Sequence, residues 1–362
     1  MLSDSEYMNR ALDLAERGRG STSPNPMVGA VVVRDDGTIV GQGYHERAGG
    51  PHAEVRALDE AGDLARGASL YCTLEPCAHV GRTGPCAERV ADAGITRVVA
   101  ATVDADERVS GRGFDFLRQR NIVVSIGTGR ARALRLNRAY FTLKTKRRPF
   151  VVMKAATTLD NRIAEAAGKR TRITSDDSFR HAHTVRAEID AIGVGSGTVL
   201  ADDPLLTARE VHRRRPLTRV LFDRRLRISP SARLFSTLDA GPVIIVTTPE
   251  SIERERGRAR ELQQAGAEFE PIGSGGLPDA FHRLGDRQMM SIVLEGGVAL
   301  HAAAWKAGVV DAVHLYIAPH TLGGDGLSWL DTDTISIASL EDRCVTPLGP
   351  DVFMEGYVHR ID

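Results

Sequence analysis

His52, Cys77 and Cys86, with Glu54 two places after the histidine, constrain this chain more than any other residues. They stand in Pro51-His52-Ala53-Glu54, in Thr73-Leu74-Glu75-Pro76-Cys77 and in Gly84-Pro85-Cys86. One imidazole and two thiols can hold zinc through three protein ligands and leave the fourth tetrahedral position to water, which separates a catalytic site from a closed structural one. Bound water has its pKa lowered from about 15.7 to roughly 7, and a nearby Glu that is not a ligand can carry protons. The chemistry implied is hydrolytic deamination. A His-x-Glu pair alone arises by chance, and a lone histidine is more often a surface or satisfied core residue. The specificity lies in its combination with Pro-Cys and a second Cys.

Local patterning places these groups at element starts. His52 follows Gly49-Gly50-Pro51 and opens a helical pattern through Val55, Ala57, Leu58 and Ala61, Ser69 to Leu74 reads as a short strand, and Cys86 to Ala93 reads as a second helix. Both ligand groups therefore lie near helix N-termini, where the dipole favours thiolate and hydroxide.

Composition narrows the class. At 362 residues the chain predicts about two domains. It is 42% hydrophobic with no apolar run near the ~18 residues that span a bilayer, so a soluble protein without membrane association is expected. Lys plus Arg and Asp plus Glu are 47 each, a balance that argues against a dedicated polyanion binder. No basic-then-apolar leader pattern opens the chain, and four cysteines, two of them assigned to metal, make no disulfide framework, so the expected compartment is cytoplasmic. Cys72 and Cys344 read as ordinary thiols.

Ser3-Asp4-Ser5-Glu6 has capping-box form ahead of Met8, Ala11, Leu12 and Ala15 at helical spacing. Ser23-Pro24-Asn25-Pro26-Met27-Val28-Gly29 then leads into a strand over Ala30 to Val33, with Ile39 to Tyr44 as its hairpin partner across Asp35-Asp36-Gly37. Prolines on both sides of Asn25 hold an amide suited to bidentate recognition of a heterocycle edge, although an Asn in a turn is the plainer reading of that segment alone.

These segments, together with Gly41-Gln42-Gly43-Tyr44-His45, Ala48-Gly49-Gly50-Pro51-His52-Ala53-Glu54 and Leu74-Glu75-Pro76-Cys77-Ala78-His79-Val80-Gly81-Arg82-Thr83-Gly84-Pro85-Cys86, resemble the bifunctional riboflavin-biosynthesis deaminase/reductase family. Nucleic-acid and cytidine deaminases usually carry Cys-x-x-Cys, whereas eight residues (78–85) separate Cys77 from Cys86 here. The resemblance implies His52, Cys77 and Cys86 as zinc ligands, Glu54 as proton shuttle, and Asn25, His45 and His79 near the substrate.

Thr96 to Val103 reads as a strand, Phe114 to Gln119 as a short helix and Ile122 to Ile126 as a strand, so the first half is a three-layer α/β domain of cytidine-deaminase type, as the resemblance also implies. Residues 130–148 carry eight Lys and Arg, expected as a solvated helix and linker rather than a nucleic-acid arm. The boundary is placed there, giving a zinc-dependent deaminase domain over 1–147 and a reductase-like domain over 148–362.

The second half repeats strands ending in polar or glycine turns: Phe150 to Ala156, Asp190 to Thr198, Val220 to Asp223, Val243 to Thr247, Ile292 to Gly297 and Val313 to Ile317. An α/β sheet of this kind binds ligands at the carboxyl ends of its strands, and glycines there admit phosphate to backbone amides. The order of pieces resembles the same family's dihydrofolate-reductase-like NADPH domain. That resemblance implies NADPH contacts at Ala156, Thr198, Asp202, Gly297, Val298, Ala299, Leu300 and His301, and substrate contacts at Arg186, Leu206, Arg209 and Glu295. Paired arginines suit a ribose phosphate, since guanidinium binds phosphate oxygens bidentately.

Thr158 departs mildly from the serine of the family pattern, and four further positions depart more strongly. Arg170 and Arg172 stand where serine and tryptophan are usual, Arg224 where serine is usual, and Asn161 where glycine follows Leu-Asp. The three cations could obstruct the nicotinamide or its ribose, or point outward as part of a changed phosphate site. The expected function is zinc-dependent deamination of a diaminopyrimidinone ribosyl phosphate followed by NADPH-dependent reduction of the ribosyl group to ribityl, in a homo-oligomer acting on a small molecule. Two alternatives stand beside it: a monofunctional deaminase with a non-catalytic second domain, and a nucleic-acid base deaminase using 130–148.

Overall fold

A capping box starts the chain. In the computed structural model Ser3 Oγ accepts the Glu6 amide N–H and Glu6 Oε2 accepts the Ser3 amide N–H at 2.7 Å, opening α1 (Asp4–Glu16). The structure describes residues 2–78, 84–107, 109–169, 171–330 and 335–359, so His79, Arg82 and Arg170 lie outside the described residues. The chain divides into two units, the first running to Lys146 and the second beginning at Arg147.

In the first unit β1 (Gly29–Val33) and β2 (Ile39–Tyr44) form the hairpin expected from the sequence. After α2 (Ala53–Ala61) the chain adds β3 (Ser69–Cys72), α3 (Cys86–Asp92), β4 (Arg97–Ala100), α4 (Arg112–Gln119) and β5 (Val123–Ile126). The sheet order is β2-β1-β3-β4-β5, with β3, β4 and β5 parallel. α2 lies flush on β2 because two glycines there carry no side chain. A Cβ at Gly41 would stand 2.0 Å from the Ala57 carbonyl oxygen, and one at Gly43 2.6 Å from Arg56 Cβ. Gly41→Ala is therefore expected to cost about 1–3 kcal/mol, the usual range for overpacking, and to lower zinc content by lifting the helix that begins after His52. Thermal unfolding and metal analysis of one preparation check both effects.

The basic stretch is helical, as expected, with Arg130, Arg135 and Lys146 exposed, but its other side is packed rather than solvated. It forms α5 (Arg130–Leu136) and α6 (Arg138–Lys146), with Ala133, Leu134, Tyr140 and Leu143 buried. Two of its cations meet acids of the same unit: Arg132 bridges Asp13 at 2.6 Å and Glu16 at 3.0 Å, and Lys144 pairs with Asp106 at 2.9 Å. Apolar spacing within the segment outweighs its net charge.

The second unit contains β6 (Phe150–Thr158), β7 (Arg162–Ala164), α7 (Asp176–Glu188), β8 (Ala191–Gly195), α8 (Ser196–Asp202), β9 (Thr218–Phe222) and β10 (Val243–Thr247). It continues through α9 (Pro249–Arg254), α10 (Arg256–Gln264), β11 (Ala267–Pro271), α11 (Gly276–Asp286), β12 (Ser291–Leu294), α12 (Val298–Lys306) and β13 (Ala312–Ala318). β14 (Leu327–Ser328), β15 (Glu341–Leu348) and β16 (Asp351–Tyr357) complete it. Nine strands form one sheet in the order β11-β10-β9-β8-β12-β6-β13-β16-β15, parallel from β11 to β13. Alternation along the strands fills both faces: Val151 and Met153 of β6 join one core cluster and Val152 the other. No helix among the described residues is long and apolar enough to cross a membrane.

Candidate functional site

The first site sits where two helices begin. His52 is the residue before α2 and Cys86 the first residue of α3, while Cys77 follows β3. Their ligating atoms lie within 4.8 Å of one another. His52 Nδ1 is 3.1 Å from Cys86 Sγ and 3.6 Å from Cys77 Sγ. Zn–N and Zn–S bonds of about 2.0 and 2.3 Å at a tetrahedral angle place N and S roughly 3.5 Å apart, so this donor set fits zinc. Hydrogen bonds from Cys86 and His52 hold the Cys77 thiol well below its ordinary range. Glu54 is 3% exposed, and burial pushes its carboxyl up to about 7.

A second layer orients this set. The His45 ring meets that of His52 edge-on with centroids 5.5 Å apart. His45 Nδ1 lies 3.0 Å from the Pro51 carbonyl oxygen, which can only accept, so the ring's proton is on Nδ1. Burial keeps the imidazole neutral by lowering its pKa. Nε2 is then an acceptor, and the Asn25 group facing it at 3.1 Å is the amide Nδ2 donor. Asn137 grips the same loop from both sides, accepting the Met27 N–H and donating to the Met27 carbonyl, each at 2.8 Å. The Glu75 carboxylate collects the amides of Asp104 (3.2 Å), Gly111 (2.9 Å) and Gly113 (2.9 Å), tying the segment that carries Cys77 to the loop before α4 and to the first turn of that helix.

Among the described residues of the second unit, three cavities neighbour one another. The largest of these three, about 530 Å³, is lined by Lys154, Ala156, Gly195, Gly197, Thr198, Asp202, Glu295 and the run Gly296 to Leu300, at the carboxyl ends of β8 and β12. One of about 210 Å³ shares Asp202 and adds Arg186, Leu206, Thr207 and Arg209. A third, of about 380 Å³, is lined by Ala156, Thr171, Arg172, Phe179 and Arg209. Thr198 Oγ1 accepts the Gly297 N–H at 3.1 Å, closing one glycine turn against the other.

Arg186 and Glu295, expected to hold substrate, are bound to each other: Nε and Nη2 each donate to one Glu295 oxygen at 2.7 Å, and Nη1 donates to the Thr207 carbonyl at 2.9 Å. Burial works to raise the Glu295 carboxyl, but Arg186 and Lys154 outweigh it and bring it down to about 2. Lys154, which the sequence reading passed over inside an apolar strand, lies 3.8 Å from Glu295, and burial lowers its pKa against that neighbour's pull. Its signal was a lone lysine at the centre of Val151-Val152-Met153-Lys154-Ala155-Ala156. His183 accepts the Arg209 amide N–H at 2.8 Å, and burial followed by Arg186 and Arg209 brings it down to about 4. His301 is not turned to the large cavity. It is 1% exposed, accepts the Trp329 indole N–H at 2.9 Å on Nδ1, and has Nε2 3.1 Å from the Leu294 carbonyl, so it braces the end of β12.

The departures take up positions along the edges. Asn161 stands at φ +60°, a conformation that Asn tolerates, and its amide donates to the Leu330 carbonyl at 2.8 Å. Arg172 is exposed, pairs with Asp176 and borders the 380 Å³ cavity, and Arg224 is exposed after β9.

Comparison with known proteins follows the same division. The cytidine and deoxycytidylate deaminase zinc-binding region matches residues 1–102, and the RibD C-terminal domain matches residues 149–354. Riboflavin biosynthesis protein RibD of Aquifex aeolicus is 41% identical over 94% of this chain and 92% of its own length. The chain belongs to the RibD family. Its Escherichia coli member is 40% identical over 90% of each chain. Solved RibD structures run along nearly its whole length: that from Acinetobacter baumannii at TM-score 0.87 and 33% identity, covering 99% of both chains, and a deaminase/reductase from Thermotoga maritima at 0.82 and 32%, covering 98% of both. The RibD relationship corroborates the two α/β units and the pairing of a zinc-type deaminase half with a reductase half.

Proposed function

We infer that the protein is the bifunctional enzyme of riboflavin biosynthesis, deaminating a diaminopyrimidinone ribosyl phosphate in its first unit and reducing the ribosyl group with NADPH in its second. The observation that carries this reading is the convergence of His52, Cys77 and Cys86 beside buried Glu54, on a chain whose likeness to RibD proteins spans both units. Zinc, when bound, supplies the Lewis acid that makes water nucleophilic near neutral pH. Glu54 takes the proton of the attacking water and returns it to the departing amine, and its carboxyl near 7 suits both transfers. Asn25, set by His45, holds the edge of the pyrimidine.

In the second unit NADPH, when bound, supplies hydride. The glycine turns at 195–197 and 296–297 admit its phosphates, with Ala156, Thr198, Asp202 and Val298 to Leu300 around it. Lys154 presents an ammonium donor to the sugar oxygen that gains charge as hydride arrives, and Glu295 holds it there. Arg186 acts as a positioning residue for Glu295, and Arg209 with Leu206 borders the substrate's end. The partners are small molecules in a cytoplasmic setting where the thiols stay reduced. Arg132 of α5 and Lys144 of α6, turned onto acids, weigh against a nucleic-acid partner. A homo-oligomer belongs to the same reading, since β15, the last strand of the sheet, is exposed along most of its length.

The test is a titration of purified protein with NADPH, following nicotinamide fluorescence, with zinc measured on the same sample. Saturable micromolar binding with about one zinc per chain is expected. Zinc without NADPH binding would reduce the protein to a deaminase. Cys77→Ala is expected to lose the metal, and retention of one zinc per chain would remove Cys77 from the ligand set.

A further inference from the structure

Lys154 is bounded by an aromatic ring as well as by a carboxylate. In the parallel ladder of β6 and β13, Ala156 stands opposite Tyr316 and Lys154 opposite His314, so Lys154 and Tyr316 are diagonal neighbours on one face of the sheet. A diagonal of about 7–8 Å is within reach of an aromatic ring and a long side chain. Lys154 Nζ accordingly sits over the Tyr316 ring, 5.2 Å from its centroid, with Glu295 3.8 Å away and the large cavity beside it. The ring is itself fixed by two other elements. Phe353 of β16 packs against it with centroids 4.9 Å apart, and His181 Nδ1 of α7 lies 2.9 Å from its hydroxyl. Tyr316 is 1% exposed. Helix α7 thus reaches both neighbours of Lys154, since its Arg186 grips Glu295 bidentately.

We propose that the face of Tyr316 keeps Lys154 an ammonium ion at the reacting sugar, which makes Tyr316 a positioning residue of the reductase unit. This rests on the donor role given to Lys154 above. Glu295 alone is a weak anchor for that charge, because its carboxylate is already bound to Arg186 and two cations share one anion. Burial works against a charged Lys154, Glu295 opposes burial, and Arg186 adds to it. An aromatic face attracts a cation through the negative side of its ring quadrupole and has no basic atom there to take the proton. The phenol stays neutral, since burial and then Glu295 push its pKa up, so the attraction is that of a ring and not of an anion. His183, His301 and His314 feel the charge of Lys154, and burial brings each of them down to about 4; burial lowers His181 as well. Arg186 stays cationic throughout. Among the described residues around the site, Lys154 is therefore the group whose charge changes as pH rises above neutrality.

The experiment follows NADPH oxidation by the full-length protein on the product of its own deamination, from about pH 6 to 10. An ammonium donor is present below the Lys154 pKa and lost above it, so kcat falls along an alkaline limb. Tyr316→Leu removes the ring face and is expected to move the midpoint of that limb down by about 0.4–1.5 pH units, the cation–π range expressed as a pKa shift. Tyr316→Phe keeps the face and should keep the limb where the parent has it. Pentafluorophenylalanine in place of Tyr316 keeps the ring's shape but depletes its face of electrons, so it should move the limb as Leu does, and it decides the question if thermal unfolding shows the Leu variant to be misfolded. A limb that stays in place without the electron-rich face makes Tyr316 a packing residue only, and the proposal falls while the donor role of Lys154 stands. If Lys154→Met reduces substrate within a few-fold of the parent rate, or if the parent oxidises no NADPH, the donor role falls and the proposal with it.

Discussion

Glu54→Gln is expected to retain one zinc per chain while deamination falls by about 10²–10⁴-fold, the share that a positioned acid–base group contributes. The substitution keeps the size and polarity of a side chain that is 3% exposed and removes only its capacity to take and return a proton. His52, Cys77 and Cys86 are untouched, so metal content separates loss of proton transfer from loss of the site. Ammonia release and zinc analysis on one preparation decide it. Activity within a few-fold of the parent would remove Glu54 as the shuttle.

The largest effect on stability is expected at Glu295. Glu295→Ala leaves Arg186 and Lys154 facing each other in the interior with no anion between them, and breaking a buried pair from one side costs about 3–5 kcal/mol. Glu295→Gln keeps the shape and isolates the charge. Because the folded carboxyl sits near 2, below its ordinary 4.5, its contribution is present above about pH 4.5 and fades as pH falls toward 2. Acid unfolding of Glu295→Gln should lack that component. Chemical denaturation across pH 2 to 6 compares the two, and identical pH slopes in parent and Gln variant would show that the ion pair carries no linkage.

The metal site was legible because its information is local. His52 and Glu54 lie two apart at a helix start, and Pro-Cys motifs mark the other two corners. The geometry around Asn25 was only half legible: both Asn25 and His45 stood out, but the bond between their side chains depends on how the Ser23–Val28 loop folds back, and Asn137, which holds that loop from 110 positions away, gave no sign in its own neighbourhood. The second unit shows the same limit more strongly. Arg186 and Glu295 each read as ligand-facing charges, and only the register of β12 beside β8 brings them together across 109 positions. Lys154 was hidden by apolar neighbours, since a strand buried on both faces reads as a plain hydrophobic run. His301 turns away from the other residues expected at the cofactor because a nine-residue helix has two sides, and the partner that claims the inner one, Trp329, lies outside the segment. At residues 130–148 the helix was legible and its packed side was not, because charge count says nothing about the acids waiting on α1 and before α4.

The chain from the Pro51 carbonyl through His45 to Asn25 has a consequence for the ring that enters. Because the imidazole proton is pinned on one nitrogen, the Asn25 amide cannot flip without setting its carbonyl oxygen against a lone pair. Its remaining edge therefore offers one N–H and the oxygen in a single order. Under the substrate role proposed for Asn25, a pyrimidinone that matches this order docks with its amine on one side, and the same ring turned over would oppose donor to donor and acceptor to acceptor. On that proposal, the polarity of one backbone carbonyl propagates through two side chains to set the orientation in which a heterocycle meets the metal site.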